Sequence, residues 1–91
     1  MSIIRYYEMG PVTSGPKNGV RVAAADSSGN IVHYYVGYVS HQFNDVKLYP
    51  SQSVKGVYHA AVKRTIPLDA LLPLERLRIA REEYYRRTSG A

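Results

Sequence analysis

What most constrains this chain is a pair of β-rich runs joined by five turn-forming residues: Val20 to Ala25, then Asp26-Ser27-Ser28-Gly29-Asn30, then Ile31 to Ser40. Val, Ile and Tyr suit the pleated surface of a strand. Gly and Asn accept the positive φ that reverses a chain, and Asp and Ser side chains hydrogen-bond back to a turn's own backbone. The combination predicts a β-hairpin. Its second run is apolar on both faces, with Ile31, Tyr35, Gly37 and Val39 alternating against Val32, Tyr34, Val36 and Tyr38, so it is expected at the centre of a sheet. Gly37 has nothing to pack in the middle of that run and suggests a bend or bulge that curls the sheet.

The remaining segments fit around this hairpin. Ile3 to Glu8 reads as a strand that runs into Gly10-Pro11 and then the connector Ser14-Gly15-Pro16-Lys17-Asn18-Gly19. Between His41 and Gly56 the alternation is lost except for a short strand at Val46 to Tyr49, ended by Pro50. From Val57 to Ile66 it returns, with Tyr58, Ala60, Val62 and Ile66 on one side and His59, Ala61, Lys63 and Thr65 on the other, and Pro67 closes the run. A helix is predicted from about Pro73 to Thr88. Asp69 can cap its first turn, Pro73 suits the first helical position, Glu75 lies where negative charge is favoured, and Gly90 follows the last turn. At about 100° per residue, Leu74, Leu77, Ala80, Tyr84 and Tyr85 form one stripe that includes Arg81, with Ile79 on the opposite side. That stripe is expected to cover one face of the sheet. The fold class is therefore α+β: one domain over residues 1–91, with residues 1–66 a β-rich basic body and residues 67–91 carrying the C-terminal helix. The body is expected to be a small curled antiparallel sheet of four or five strands, for which an SH3-like barrel is one available form.

Composition excludes several chemistries. With no cysteine there is no disulfide framework, thiolate zinc site, iron–sulfur cluster or cysteine nucleophile. No run approaches eighteen apolar residues and the N-terminus lacks a basic start followed by an apolar stretch, so neither a membrane span nor a secretory signal is expected and a cytoplasmic setting fits best. Twelve basic against seven acidic residues give a net charge of +5, which favours polyanionic partners. Residues 1–66 hold seven basic and three acidic side chains, while residues 67–91 hold five and four, so the excess sits in the β-rich body.

Few residues are placed for catalysis. Glu82 and Glu83 each precede an arginine, Arg86 and Arg87, by four residues, the arrangement of a solvated helix face. Asp69 and Glu75 belong to the helix start and Asp26 to the turn, leaving Glu8 and Asp45 without a structural reason. His33, His41 and His59 show none of the spacings of recurrent metal motifs, so no metal site and no cofactor are expected. The connector at residues 14–19 lacks phosphate-loop spacing, and Pro16 removes an amide that such a loop would use. A binding role is expected rather than an enzymatic one.

Two kinds of partner compete for that role. Arg21, Lys47, Lys55, Lys63 and Arg64 lie in or beside strands that also carry Tyr34, Tyr35, Tyr38, Tyr49 and Tyr58. Cations tracking phosphates beside rings that stack on bases are how single-stranded nucleic acid is held. The residues assigned to such a surface are Arg21, Tyr35, Lys47, Lys55, Tyr58, Lys63 and Arg64, with nucleic acid, a nucleoprotein assembly or another acidic surface as partner. Against this, nine tyrosines and eight arginines are also the residues richest at protein interface hot spots. Ile79, Tyr84 and Tyr85 would then meet a protein, the chain acting in a homodimer or larger complex as an adaptor, a subunit or a small inhibitor of the kind viruses and mobile elements encode.

Overall fold

The computed structural model describes residues 3–12, 18–50 and 64–89. Six strands, β1 (Arg5–Pro11), β2 (Gly19–Ala25), β3 (Ile31–Ser40), β4 (Asp45–Pro50), β5 (Arg64–Pro67) and β6 (Leu71–Pro73), form one sheet in the order β5-β4-β3-β2-β1-β6. A 3₁₀ turn at Leu68–Ala70 joins the last two strands, and helix α1 (Leu74–Ser89) follows β6 directly. The two edge strands are thus linked by three residues, which is possible only because the sheet curls into a half-barrel and brings its edges towards each other.

The predicted hairpin is present as β2 and β3, and its turn is organised by Asp26. One carboxylate oxygen of Asp26 accepts hydrogen bonds from the Ser28 amide at 3.0 Å, the Ser28 hydroxyl at 2.7 Å and the Asn30 amide at 3.0 Å. Gly29 takes φ of +85° there, a conformation that side chains with a Cβ rarely adopt. A register shift between Ala24 and Ala25 pairs Ala24 with His33 but Ala25 with Ile31. This bulge turns Ile31 away from Tyr35 and Val39, with which simple alternation groups it, and onto the opposite face of the sheet.

Gly37 acts differently from the bend expected of it. The pairing runs unbroken through it, Val20 to Gly37 to Leu48, so it carries no bulge. A Cβ built on Gly37 would lie 2.8 Å from Val46 Cγ1, 3.2 Å from Val22 Cγ2 and 3.3 Å from Leu48 Cδ2. The side chains of β2 and β4 close over β3 because β3 offers only backbone at that point. The space that Gly37 leaves is filled by Val46, Val22 and Leu48. The inner face so formed buries Tyr6, Val22, Ala24, Val46, Leu48 and Ile66, with Leu68, Ala70 and Leu71 packed against them.

Three expectations are corrected. The sheet has six strands rather than four or five, and it is mixed, because β6 pairs in parallel with β1 through Tyr6–Leu71, Tyr7–Leu72 and Glu8–Pro73. The first strand does not stop at Glu8. It passes a register shift between Glu8 and Gly10, where Gly10 has φ of +128°, and continues to Pro11. Asp69 lies in the 3₁₀ turn and Pro73 ends β6, so the helix begins at Leu74. The expected strand over Val57 to Ile66 is described only from Arg64 onward; the rest of it lies outside the described residues.

Helix α1 packs on the outer face of β1 and β6. Leu77, 2% exposed, is buried with Tyr7 and Ala25, and Ile31, Leu72 and Leu74 complete this second cluster. The expected stripe holds for its first half only. Tyr84 and Tyr85 remain 41% and 59% exposed. Arg81, the cation within the stripe, donates from Nε to the Gly29 carbonyl at 2.8 Å and so ties the hairpin turn to the helix.

Candidate nucleic-acid interface

Among the described residues, helix α1 packs chiefly against β1 and β6 rather than against the outer face of β3, β4 and β5. Cross-strand partners point to the same face, so the register Ala23–Tyr34, Arg21–Val36–Tyr49 and Tyr38–Lys47–Thr65 sets all of these side chains on the outside of β2, β3, β4 and β5. Tyr34 is 56% exposed, Tyr38 and Tyr49 are half-buried, and Arg21 and Lys47 are exposed. Tyr38 and Tyr49 meet diagonally, ring centroids 5.3 Å apart at 79°, an edge-to-face pair that fixes both rings. Lys47 stands directly opposite Tyr38, and Arg21 stands across β3 from Tyr49. Arg21 is positioned by donating to the Met9 carbonyl at 3.3 Å beside the bulge of β1. The surface holds three rings and two cations, backed by the buried core.

The residues expected on a shared surface do not all reach it. Arg21 and Lys47 do. Tyr35 and Arg64 lie on the inner face instead, since Tyr35 pairs with Val22, and Arg64 pairs with Leu48 two positions before the buried Ile66. Arg64 Nη1 donates to the Tyr6 hydroxyl at 2.9 Å, spanning from β5 to β1 across the mouth of the half-barrel. The Tyr35 ring is packed 6.2 Å from that of Tyr6 and 6.1 Å from that of His33. On that face Tyr35 is half-buried, and Arg64 stays exposed at its rim. Lys55, Tyr58 and Lys63 lie outside the described residues. Tyr34, Tyr38 and Tyr49, which the sequence places on the same strands but which are not among the residues assigned to the surface, share this face. Their common parity with Arg21 and Lys47 follows only once the register is known.

The other candidates are placed as follows. Ile79, Tyr84 and Tyr85 are all exposed on α1, with the rings of Tyr84 and Tyr85 5.7 Å apart. His33 and His41 are exposed on β3 and in the turn after it, and His59 lies outside the described residues. Among the described residues no three His, Asp or Glu side chains come together as metal ligands, and no helix is long and apolar enough to cross a membrane. Asp26, whose carboxylate the Ser28 hydroxyl and then the Asn30 amide stabilise, is held below its ordinary pKa. Asp45 at the start of β4 has one buried carboxylate oxygen without a hydrogen-bond partner among the described residues. Comparison with protein-family models, curated proteins and solved structures finds no match to this chain.

Proposed function

We propose that the chain is a non-enzymatic binding module for single-stranded nucleic acid, alone or in a nucleoprotein assembly, and that the outer face of β2, β3 and β4 is its binding surface. The observation that carries this reading is the pair Tyr38 and Tyr49 set between Arg21 and Lys47, with Tyr34 two positions beyond Val36 along β3 on the same face. Bases stack on exposed rings whatever their sequence, and the flanking cations hold the phosphates between them. A net charge of +5 draws such a ligand in.

Titration of fluorescent single-stranded oligonucleotides against the chain over a range of salt tests the reading. Arg21→Glu and Lys47→Glu are expected to weaken binding to unrelated sequences alike, and to flatten the salt slope by about 0.7 for each phosphate left without its cation. Tyr34→Leu is expected to cost about 1–3 kcal/mol per stacked base while leaving the slope nearly unchanged. A second reading is favoured by the exposure of Ile79, Tyr84 and Tyr85 on the helix: a protein partner seated there. Absence of oligonucleotide binding at low salt, together with a protein complex abolished by changing those three residues, would replace the first reading with the second.

A further inference from the structure

Two adjoining cavities lie between the start of β1 and one side of α1, away from the strip of tyrosines. The first, of about 290 Å³, is lined by Tyr7, Leu72, Arg76 and Ile79. The second, of about 250 Å³, is lined by Ser27, Tyr84 and Arg87. Arg5, Ala80 and Glu83 belong to both, which makes them one cleft. The sequence builds its helical wall by spacing: Arg76, Ala80, Glu83 and Arg87 recur at intervals of three and four and share one side of α1. The facing wall is held by the Asp26 turn, which carries Ser27 and is tied to the helix by Arg81. Both walls are thus set before any ligand arrives.

The cleft has an unbalanced charge. Among the described residues that line it there are three arginines, Arg5, Arg76 and Arg87, and a single acidic residue, Glu83, a formal balance of +2. None of these four groups is taken up by a hydrogen bond or ion pair among the described residues, although Glu83 and Arg87 stand four apart on the helix. A phosphate monoester carries a charge of about −2 at neutral pH and matches that balance, and its oxygens suit the planar fork of arginine. The rest of the lining is of another kind: Leu72, Ile79 and Ala80 are apolar, and Tyr84 offers a ring. We propose that this cleft binds a small organic phosphate monoester of mononucleotide size, its phosphate held at Arg5 with Arg76 or Arg87 and its aromatic body laid against Ile79 or Tyr84. This site is separate from the tyrosine strip and does not depend on that strip's function.

Isothermal titration of the full chain with adenosine monophosphate, adenosine, inorganic phosphate and sulfate tests the proposal. Adenosine monophosphate is expected to bind with one-to-one stoichiometry, at least tenfold tighter than each of the other three. Arg5→Gln and Arg76→Gln are expected to weaken it tenfold or more with no change in melting temperature, since both side chains are exposed. Arg21→Glu and Lys47→Glu, on the tyrosine strip, are expected to leave it unchanged, and Arg5→Gln to leave oligonucleotide binding unchanged. Equal affinity for the nucleotide and sulfate, or full nucleotide binding by the Arg5 variant, would overturn the site. Loss of oligonucleotide binding in that variant would do so too, because the cleft would then belong to the polymer surface.

Discussion

At the scale of single residues, the positions that matter most carry either no side chain or one used locally. Gly37 sits where the inner side chains of β2 and β4 converge, and Val46 is β-branched and cannot swing aside. Gly37→Ala is therefore expected to destabilise the fold by about 1–3 kcal/mol through overpacking, seen as a lower urea midpoint with an unchanged denaturant slope. A variant as stable as the parent would show that the fold does not depend on that gap. Asp26 makes a pH-dependent contribution. Its pKa is lowered from the ordinary value of 3.8, chiefly by the Ser28 hydroxyl and the Asn30 amide, so the folded state favours the carboxylate. The resulting stabilisation is present above pH about 4 and is lost as pH falls through the depressed folded value. Asp26→Asn is expected to lower the urea midpoint at pH 7 and to differ little from the parent near pH 2. A difference of the same size at both pH values would mean that the charge of Asp26 plays no part in the turn.

At the scale of elements, α1 is held by its first half. Leu77 is 2% exposed and packed with Tyr7 and Ala25, whereas Tyr84 and Tyr85, two turns on, are exposed. Leu77→Ala is expected to cost about 2–5 kcal/mol in urea unfolding, a large part of what a fold of this size has. Tyr84→Ala and Tyr85→Ala are expected to cost far less, which separates the anchoring half of the helix from the exposed half. The helix was legible from about Pro73 to Thr88, close to the observed Leu74–Ser89, because i, i+3 and i, i+4 spacing is written in the chain. How many of those turns find a sheet to cover was not, because that depends on where β1 and β6 end.

At the scale of the whole molecule, the fold is a sheet whose edges are drawn together. The three residues of the 3₁₀ turn join them in sequence, and the hydrogen bond from Arg64 to Tyr6 joins β5 to β1 in space. Tyr6→Phe removes only that acceptor and is expected to destabilise the protein by about 0.5–1.5 kcal/mol. Arg64→Leu is expected to act through the same hydrogen bond, so the double variant should be less destabilised than the two single effects added together. Strict additivity would show that the two residues do not cooperate in closing the half-barrel.

The sequence by itself determined the central hairpin, its turn chemistry, the helix and the α+β class, because each rests on interactions between residues close in the chain. Tertiary structure alone decided the sixth strand, since three residues such as Leu71–Pro73 carry no periodicity and become a strand only by pairing with β1. It also divided the aromatic and basic residues between two faces. Tyr34 and Tyr35 are neighbours in sequence, yet one is open on the outside and the other is packed within, because successive strand residues point opposite ways and the long-range register decides which way is out.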